Sequence, residues 1–217
     1  MPSMNLEVLS KIQPFISLCE KMGKFMGQVC KTGVKKIKVK YHGNVSENDV
    51  KPLTMSALKG YLTPIMSAPV TFVNAPLIAE ERGIEIVESK DTTLSDFSSL
   101  ISLDVVTEAN SFSLSGSIFG KKEPRFTNFN DHSIDILPEG NILMIENDDK
   151  PGVIGLLGNV LGKKDININR LYLSNQKDAK KNYALALISV DSPVSEDVLE
   201  FIANMDEVKS IDQVILD

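Results

Sequence analysis

The sequence predicts two α+β domains in tandem, one over residues 1–138 and one over 141–217. Three observations predict this. At 217 residues the chain is long enough for two domains of about 100 residues each. Its first part passes from helical periodicity into consecutive alternating segments separated by short polar turns, the pattern of helices laid on an antiparallel sheet. Its last part, beyond Pro138-Glu139-Gly140, gives strand, helix, strand, strand, helix, strand, which is the ferredoxin-like order.

Residues 5–31 form one helix, because Leu9, Ile12, Phe15, Ile16, Cys19, Met22 and Met26 recur at spacings of three and four. Lys31-Thr32-Gly33 ends it. In KKIKVKYHG, Ile37, Val39 and Tyr41 alternate with Lys36, Lys38 and Lys40, so one strand face is buried and the lysine face solvated. Pro52 opens a second helix that carries Leu53, Ala57, Leu58, Tyr61 and Leu62. A third starts near Asn74 and stops at Gly83, before a strand at Ile84–Val87. LISLDVVT, FSLSGSIFG, RFTNF and His132–Leu137 follow as an antiparallel meander.

In the second domain Asn141–Ile145 is a strand and Val153–Leu161 a helix. Val153, Leu156, Leu157, Val160 and Leu161 share one apolar stripe, with Gly155, Gly158 and Gly162 on the other face. Strands at Ile166–Leu173 and Tyr183–Val190 come next. A helix over Ser195–Asn204, with Ser195 as N-cap, leads to a last strand at Val208–Leu216. The glycine face is either a weak stretch of helix or a surface for close approach by a second subunit.

The turn between the first strand and helix of this domain carries the chemistry. The first N–H groups of a helix lack intrahelical partners and bear positive partial charge, so a carboxylate is stabilised there without a basic side chain. Asp149 offers a charge for an ammonium group. Asn147 and Asn167 offer neutral amides that donate and accept. With Pro151-Gly152 at the helix start, this set suits a small zwitterion. The plainer reading is that Asp149 caps the helix and the asparagines are strand-edge polar groups. Lys121, Lys122 and Arg125 form a local basic cluster in the first domain, either a solvated turn or an anion site.

Several function classes are disfavoured. Net charge is −6, the wrong sign for a global nucleic-acid binder. The candidate sheet strands also present aliphatic rather than aromatic side chains. Cys19 and Cys30 are separated by eleven helical residues, roughly 16 Å, too far for a disulfide. Two isolated histidines and no Cys-x-x-Cys give a metal site little material. No apolar run is long enough to span a membrane and the N-terminus has no secretory pattern, so the expectation is a cytoplasmic protein.

Four motifs in order, PLTMSALKGYL, VTFVNAPLIAEERGIEI, LSGSIFGKKEPRF and ENDDKPGVIGLLGNVLGKKDININRLYL, resemble the C-terminal regulatory region of bacterial D-3-phosphoglycerate dehydrogenase. The resemblance covers nearly the whole chain. It implies an allosteric substrate-binding-like intervening domain over 1–138 and an ACT domain, an amino-acid-sensing module, over 141–217. It further implies L-serine as a feedback inhibitor of serine biosynthesis, bound between two ACT domains by Asn147, Asp149 and Asn167, together with homo-oligomerisation through ACT pairing. Some family members have histidine at the position of Asn147. A phosphate-bearing effector at Lys121, Lys122 and Arg125 is also implied. The family's catalytic half, with its NAD loop, is absent, so no cofactor and no catalysis are expected of this chain alone. Two other readings are a free-standing amino-acid sensor and the small subunit of an iron–sulfur L-serine dehydratase.

Overall fold

The computed structural model describes residues 6–30, 33–93, 96–120, 122–175 and 183–216, with side chains from residue 12 onward. The fold is mixed α and β, with two sheets and five α-helices among the described residues. The chain divides into two compact units. One is Met1–Asn130 with Asp135–Pro138, the other Asp131–Ile134 with Glu139–Asp217.

In the first unit, α1 (Leu6–Val29) and α2 (Lys51–Leu62) pack together as a helical layer. The sheet order is β2-β1-β3-β4-β5-β6, with β1 Val34–Gly43, β2 Glu85–Asp91, β3 Ser99–Thr107, β4 Ser111–Phe119, β5 Glu123–Phe129 and β6 His132–Ile136. The meander β3-β4-β5 is antiparallel, as the alternation predicts. The pairing of β1 with β2 is parallel, which the alternation does not reveal. A parallel neighbour needs a long crossover; α2 and α3 (Ala75–Glu81) supply it. Ile37, Val39 and Tyr41 are buried on one face of β1, while Lys36 and Lys40 on the other reach Glu85 (2.7 Å) and Asp104 (2.8 Å).

In the helical layer the two backbones touch directly at three glycines. A Cβ on Gly23 would lie 2.0 Å from the Ala57 carbonyl oxygen, one on Gly27 2.2 Å from that of Tyr61, and one on Gly60 2.1 Å from that of Glu20. Around this seam Leu18, Met22, Met26 and Phe25 are buried, and Phe25 meets Phe126 and Phe129 edge to face at 5.4 and 5.7 Å. The Tyr41 hydroxyl shares a hydrogen bond with Thr54 Oγ1 (2.8 Å), which also donates to Glu88 (2.5 Å), tying β1, α2 and β2 together. Cys19 and Cys30 are buried free thiols, and burial pushes the Cys19 pKa up.

The second unit contains β7 (Gly140–Asp148), α4 (Val153–Gly162), β8 (Ile168–Asn175), β9 (Tyr183–Val190), α5 (Glu196–Ala203) and β10 (Val208–Leu216) in that order. Its sheet runs β10-β7-β9-β8, all neighbours antiparallel, so β8 and β10 are edges. Leu143, Ile145, Ala186 and Ile188 meet Val153, Leu157, Leu161, Val198 and Ile202 in one core. Two local expectations need correction. Leu156 is not part of the buried stripe: it is 43% exposed, because the stripe at Val153, Leu157 and Leu161 already fills the contact. Ser195 precedes α5 as N-cap residue, but its hydroxyl donates to Asp197 rather than accepting from the helix start.

Gly23→Ala and Gly60→Ala each force a methyl group onto a backbone carbonyl that cannot yield. Each is expected to cost about 3 kcal/mol, the upper range for overpacking. Urea unfolding of the whole chain followed by circular dichroism checks this; an unchanged midpoint would refute the seam.

Candidate functional site

The turn from β7 to α4 is built by a strand that ends in three polar residues and a helix that begins at glycine. Gly152 holds φ +96, a left-handed conformation that a side chain resists, and it occupies the N-cap position. Gly152 itself offers no side chain to cap α4. Asp149 and Pro151 are exposed in the turn. The start of α4 therefore presents backbone N–H groups with positive partial charge beside two acidic residues.

Asn147 lies just before the turn, 3% exposed. Its Nδ2 donates to the Asp148 carbonyl at 2.8 Å, and its buried Oδ1 has no hydrogen-bond partner among the described residues. A buried amide oxygen left unpaired costs about 1–3 kcal/mol, so it marks a place where a donor would be welcome.

Asp148 is a feature that sequence reasoning missed. Its carboxylate takes Lys150 at 2.7 Å and Lys209 at 3.0 Å, and its backbone N–H donates to the Glu207 carbonyl. Hydrogen bonds from the two lysines hold its pKa below the usual carboxylate range, and the same pairing raises that of Lys150. Lys209 enters β10 next to Val208, which pairs with Asn147, so only the β10–β7 register reveals this contact.

Asn167 stands apart from the turn. Its backbone N–H donates to Asp191 Oδ1 (3.2 Å), its carbonyl accepts from the Asp191 N–H (3.1 Å), and its side chain reaches Asn169 (3.3 Å). Asn147 is level with Ala184 on β9, whereas Ile168, next to Asn167, is level with Val190. Six strand residues separate those levels, about 20 Å. Within one chain, the corner expected to gather Asn147, Asp149 and Asn167 around one small molecule therefore does not exist. Asn147, Asp149, Pro151 and Gly152 sit at one end of the sheet and Asn167 at the other.

In the first unit Lys122 is exposed, and Lys121 lies outside the described residues. Arg125 is held by Glu123 (Nε to Oε1, 3.1 Å) and Asp135 (3.0 Å). An anion arriving there must compete with two carboxylates already in place. Among the described residues no three His, Cys, Asp or Glu side chains group as a metal site, and no helix is long and apolar enough to cross a membrane.

Comparison with known proteins places this geometry in a family. The model of the D-3-phosphoglycerate dehydrogenase intervening domain matches residues 11–130. The chain is 31% identical over 208 residues to the D-3-phosphoglycerate dehydrogenase of Archaeoglobus fulgidus, covering 96% of the chain and 39% of the relative. It is 27% identical to that of Bacillus subtilis and 29% identical to that of Methanocaldococcus jannaschii, each over 211 residues, 97% of the chain and 40% of the relative. The chain thus spans about two-fifths of the length of these relatives, and the likeness runs past residue 130 into the second unit. With the helical pair, strands β1 to β5 and the matched span coinciding in its first unit, this chain belongs to the D-3-phosphoglycerate dehydrogenase intervening domain family.

Proposed function

We propose that this chain is a regulatory module of D-3-phosphoglycerate dehydrogenase, that its second unit is an ACT domain of ferredoxin-like topology, and that it binds L-serine between two copies. The reading carries no catalysis by this chain alone; the NAD chemistry belongs to the dehydrogenase as a whole. The observation that carries the proposal is the glycine-initiated start of α4 beside the buried Oδ1 of Asn147, which has no partner among the described residues. A carboxylate suits the α4 N–H groups. An ammonium group suits Asp149, and either a donor hydroxyl or the ammonium group suits Asn147 Oδ1.

Asn167, about 20 Å away in the same chain, reaches such a ligand only from a second copy. Two features support pairing through β8. As an edge strand it offers unpaired backbone groups. On its helix-facing side Leu171 and Leu173 are 41% and 44% exposed, and Leu156 of α4 adds a third apolar side chain. Gly155, Gly158 and Gly162 have no atom within 4 Å of where a Cβ would stand, which leaves room for another backbone. In this reading the homodimer and the serine site are one construction.

Three outcomes follow. L-serine at 100 times its Kd adds about 2.7 kcal/mol and raises the thermal midpoint of the chain by several degrees, while D-serine does not. Asp149→Ala and Asn167→Ala each abolish the shift, and an equal shift with D-serine would sink the assignment. In sedimentation, Leu173→Asp yields a monomer and loses the serine response with it; a monomeric variant that still responds would separate the two. The third concerns acid. Asp148 has a depressed pKa in the folded state, so its contribution to stability is complete above the unfolded carboxylate's pKa of about 4. It is lost as pH falls through the folded value. Asp148→Asn is therefore less stable than the parent at pH 7, and the gap closes on acidification below about pH 4; a gap constant with pH would show that the lysine pairs do not matter.

A further inference from the structure

A cleft of about 400 Å³ opens in the first unit, far along the chain from the turn at 147–152 and from Arg125. It lies where four segment ends converge: the start of β1, the end of α2, the C-cap of α3 and the approach to β2. Tyr61, Leu62, Ile65 and Ile84 line its apolar part, and Lys35 and Arg82 supply two cations. Among the described residues, no acidic one lines it.

The two cations differ. Lys35 falls at the register shift of the β1–β3 ladder between Val34 and Lys36, and such a bulge re-aims a side chain. It pairs with Glu108 at 2.8 Å, both groups being more than half exposed, so the pair is weak and open to exchange. Arg82 makes no side-chain ion pair or hydrogen bond among the described residues; its backbone N–H is engaged with the Ile78 and Glu80 carbonyls. Its charge nonetheless acts on Tyr61, opposing the rise that burial imposes on the phenol. The phenol is itself committed, donating to the Cys30 carbonyl at 2.7 Å, and so belongs to the wall rather than to a ligand. A guanidinium without a side-chain partner among the described residues, at a cleft with one apolar wall in a chain of net charge −6, is an arrangement that can retain an anion with a hydrocarbon body.

We propose that this cleft is a binding site for a short aliphatic carboxylate. The carboxylate is taken by the Arg82 guanidinium with help from Lys35, and the carbon chain lies against Ile65 and Ile84. The site is separate from the serine site and does not depend on a second copy.

Isothermal titration of the whole chain at low salt with acetate, butanoate and hexanoate tests it, with inorganic phosphate as a charge-only probe. Affinity is expected to rise about fourfold per methylene along the series until the cleft is filled, with phosphate weaker than hexanoate. Arg82→Gln is expected to lower hexanoate affinity at least tenfold, as loss of a charge-assisted hydrogen bond does, and Lys35→Gln by less. Arg82 is exposed at a helix end, so its variant keeps the parent's unfolding midpoint without ligand. Arg125→Gln and added L-serine leave hexanoate binding unchanged. Absence of binding, equal affinity for the three acids, tighter binding of phosphate than of hexanoate, or an Arg82→Gln variant that binds as the parent does would each overturn the proposal.

Discussion

Helices α1 and α2 can meet as closely as they do because Gly23, Gly27 and Gly60 carry no Cβ where each backbone touches the other. Glycine inside a helix costs about 1 kcal/mol relative to alanine, so the seam weakens both helices by about 3 kcal/mol in intrinsic preference. Burial outweighs this. Leu18, Met22, Phe25, Met26, Leu58 and Tyr61 are all essentially inaccessible around the seam, and each such side chain contributes about 1.5–3 kcal/mol. The close approach also sets the depth at which the helical layer sits on the sheet. Phe25 can then reach Phe126 and Phe129, and Thr54 of α2 can satisfy the hydroxyl of Tyr41, which would otherwise be buried without a partner.

The same seam reaches the cleft at the end of α2. Gly27 packs against the Tyr61 carbonyl, the Tyr61 phenol donates to the Cys30 carbonyl just past the end of α1, and Tyr61 then forms cleft wall. A rigid wall matters because the charges facing it are on exposed side chains. Arg82 and Lys35 can adjust to a ligand while the apolar surface does not, so shape selects the body of the ligand and charge selects its head. Three missing side chains thus bear, through a helix pair, on the geometry of a surface site.

Much of this is legible in the residues alone, and what is not has physical causes. The period of α1 and the alternation of β1, β3 and β4 are strong local signals, and the structure follows them. The parallel β1–β2 pair is invisible because alternation reports burial, not strand direction. Gly23, Gly27 and Gly60 appear in the sequence as tolerated interruptions; their function as a seam depends on partners more than thirty residues away. In the second unit the order of strands and helices can be read directly, and so can the polar character of 147–152. The distance of Asn167 from it is not evident there, since chain proximity suggests a corner and only the registers of β7 and β8 on β9 put the two at opposite ends of the sheet. The Asp148–Lys209 contact is hidden for the same reason.

That separation bears on how a small ligand could regulate anything. A site completed inside one chain can be filled without consequence for a neighbour. A site split between the α4 start of one copy and Asn167 of another, as proposed here, makes occupancy and association a single equilibrium: whatever free energy the ligand contributes is spread over both. The ligand then shifts the arrangement of subunits only by the difference in its affinity for the arrangements available. An exposed, modestly apolar edge suits such a device better than a large hydrophobic one. Leu156, Leu171 and Leu173 are each about two-fifths exposed rather than wholly so. Covering them yields on the order of a few kcal/mol before the cost of association is met. A marginal interface of that kind can be tipped by the roughly 2.7 kcal/mol that a ligand supplies at 100 times its Kd, whereas an interface several times stronger would stay closed whether or not the ligand was present.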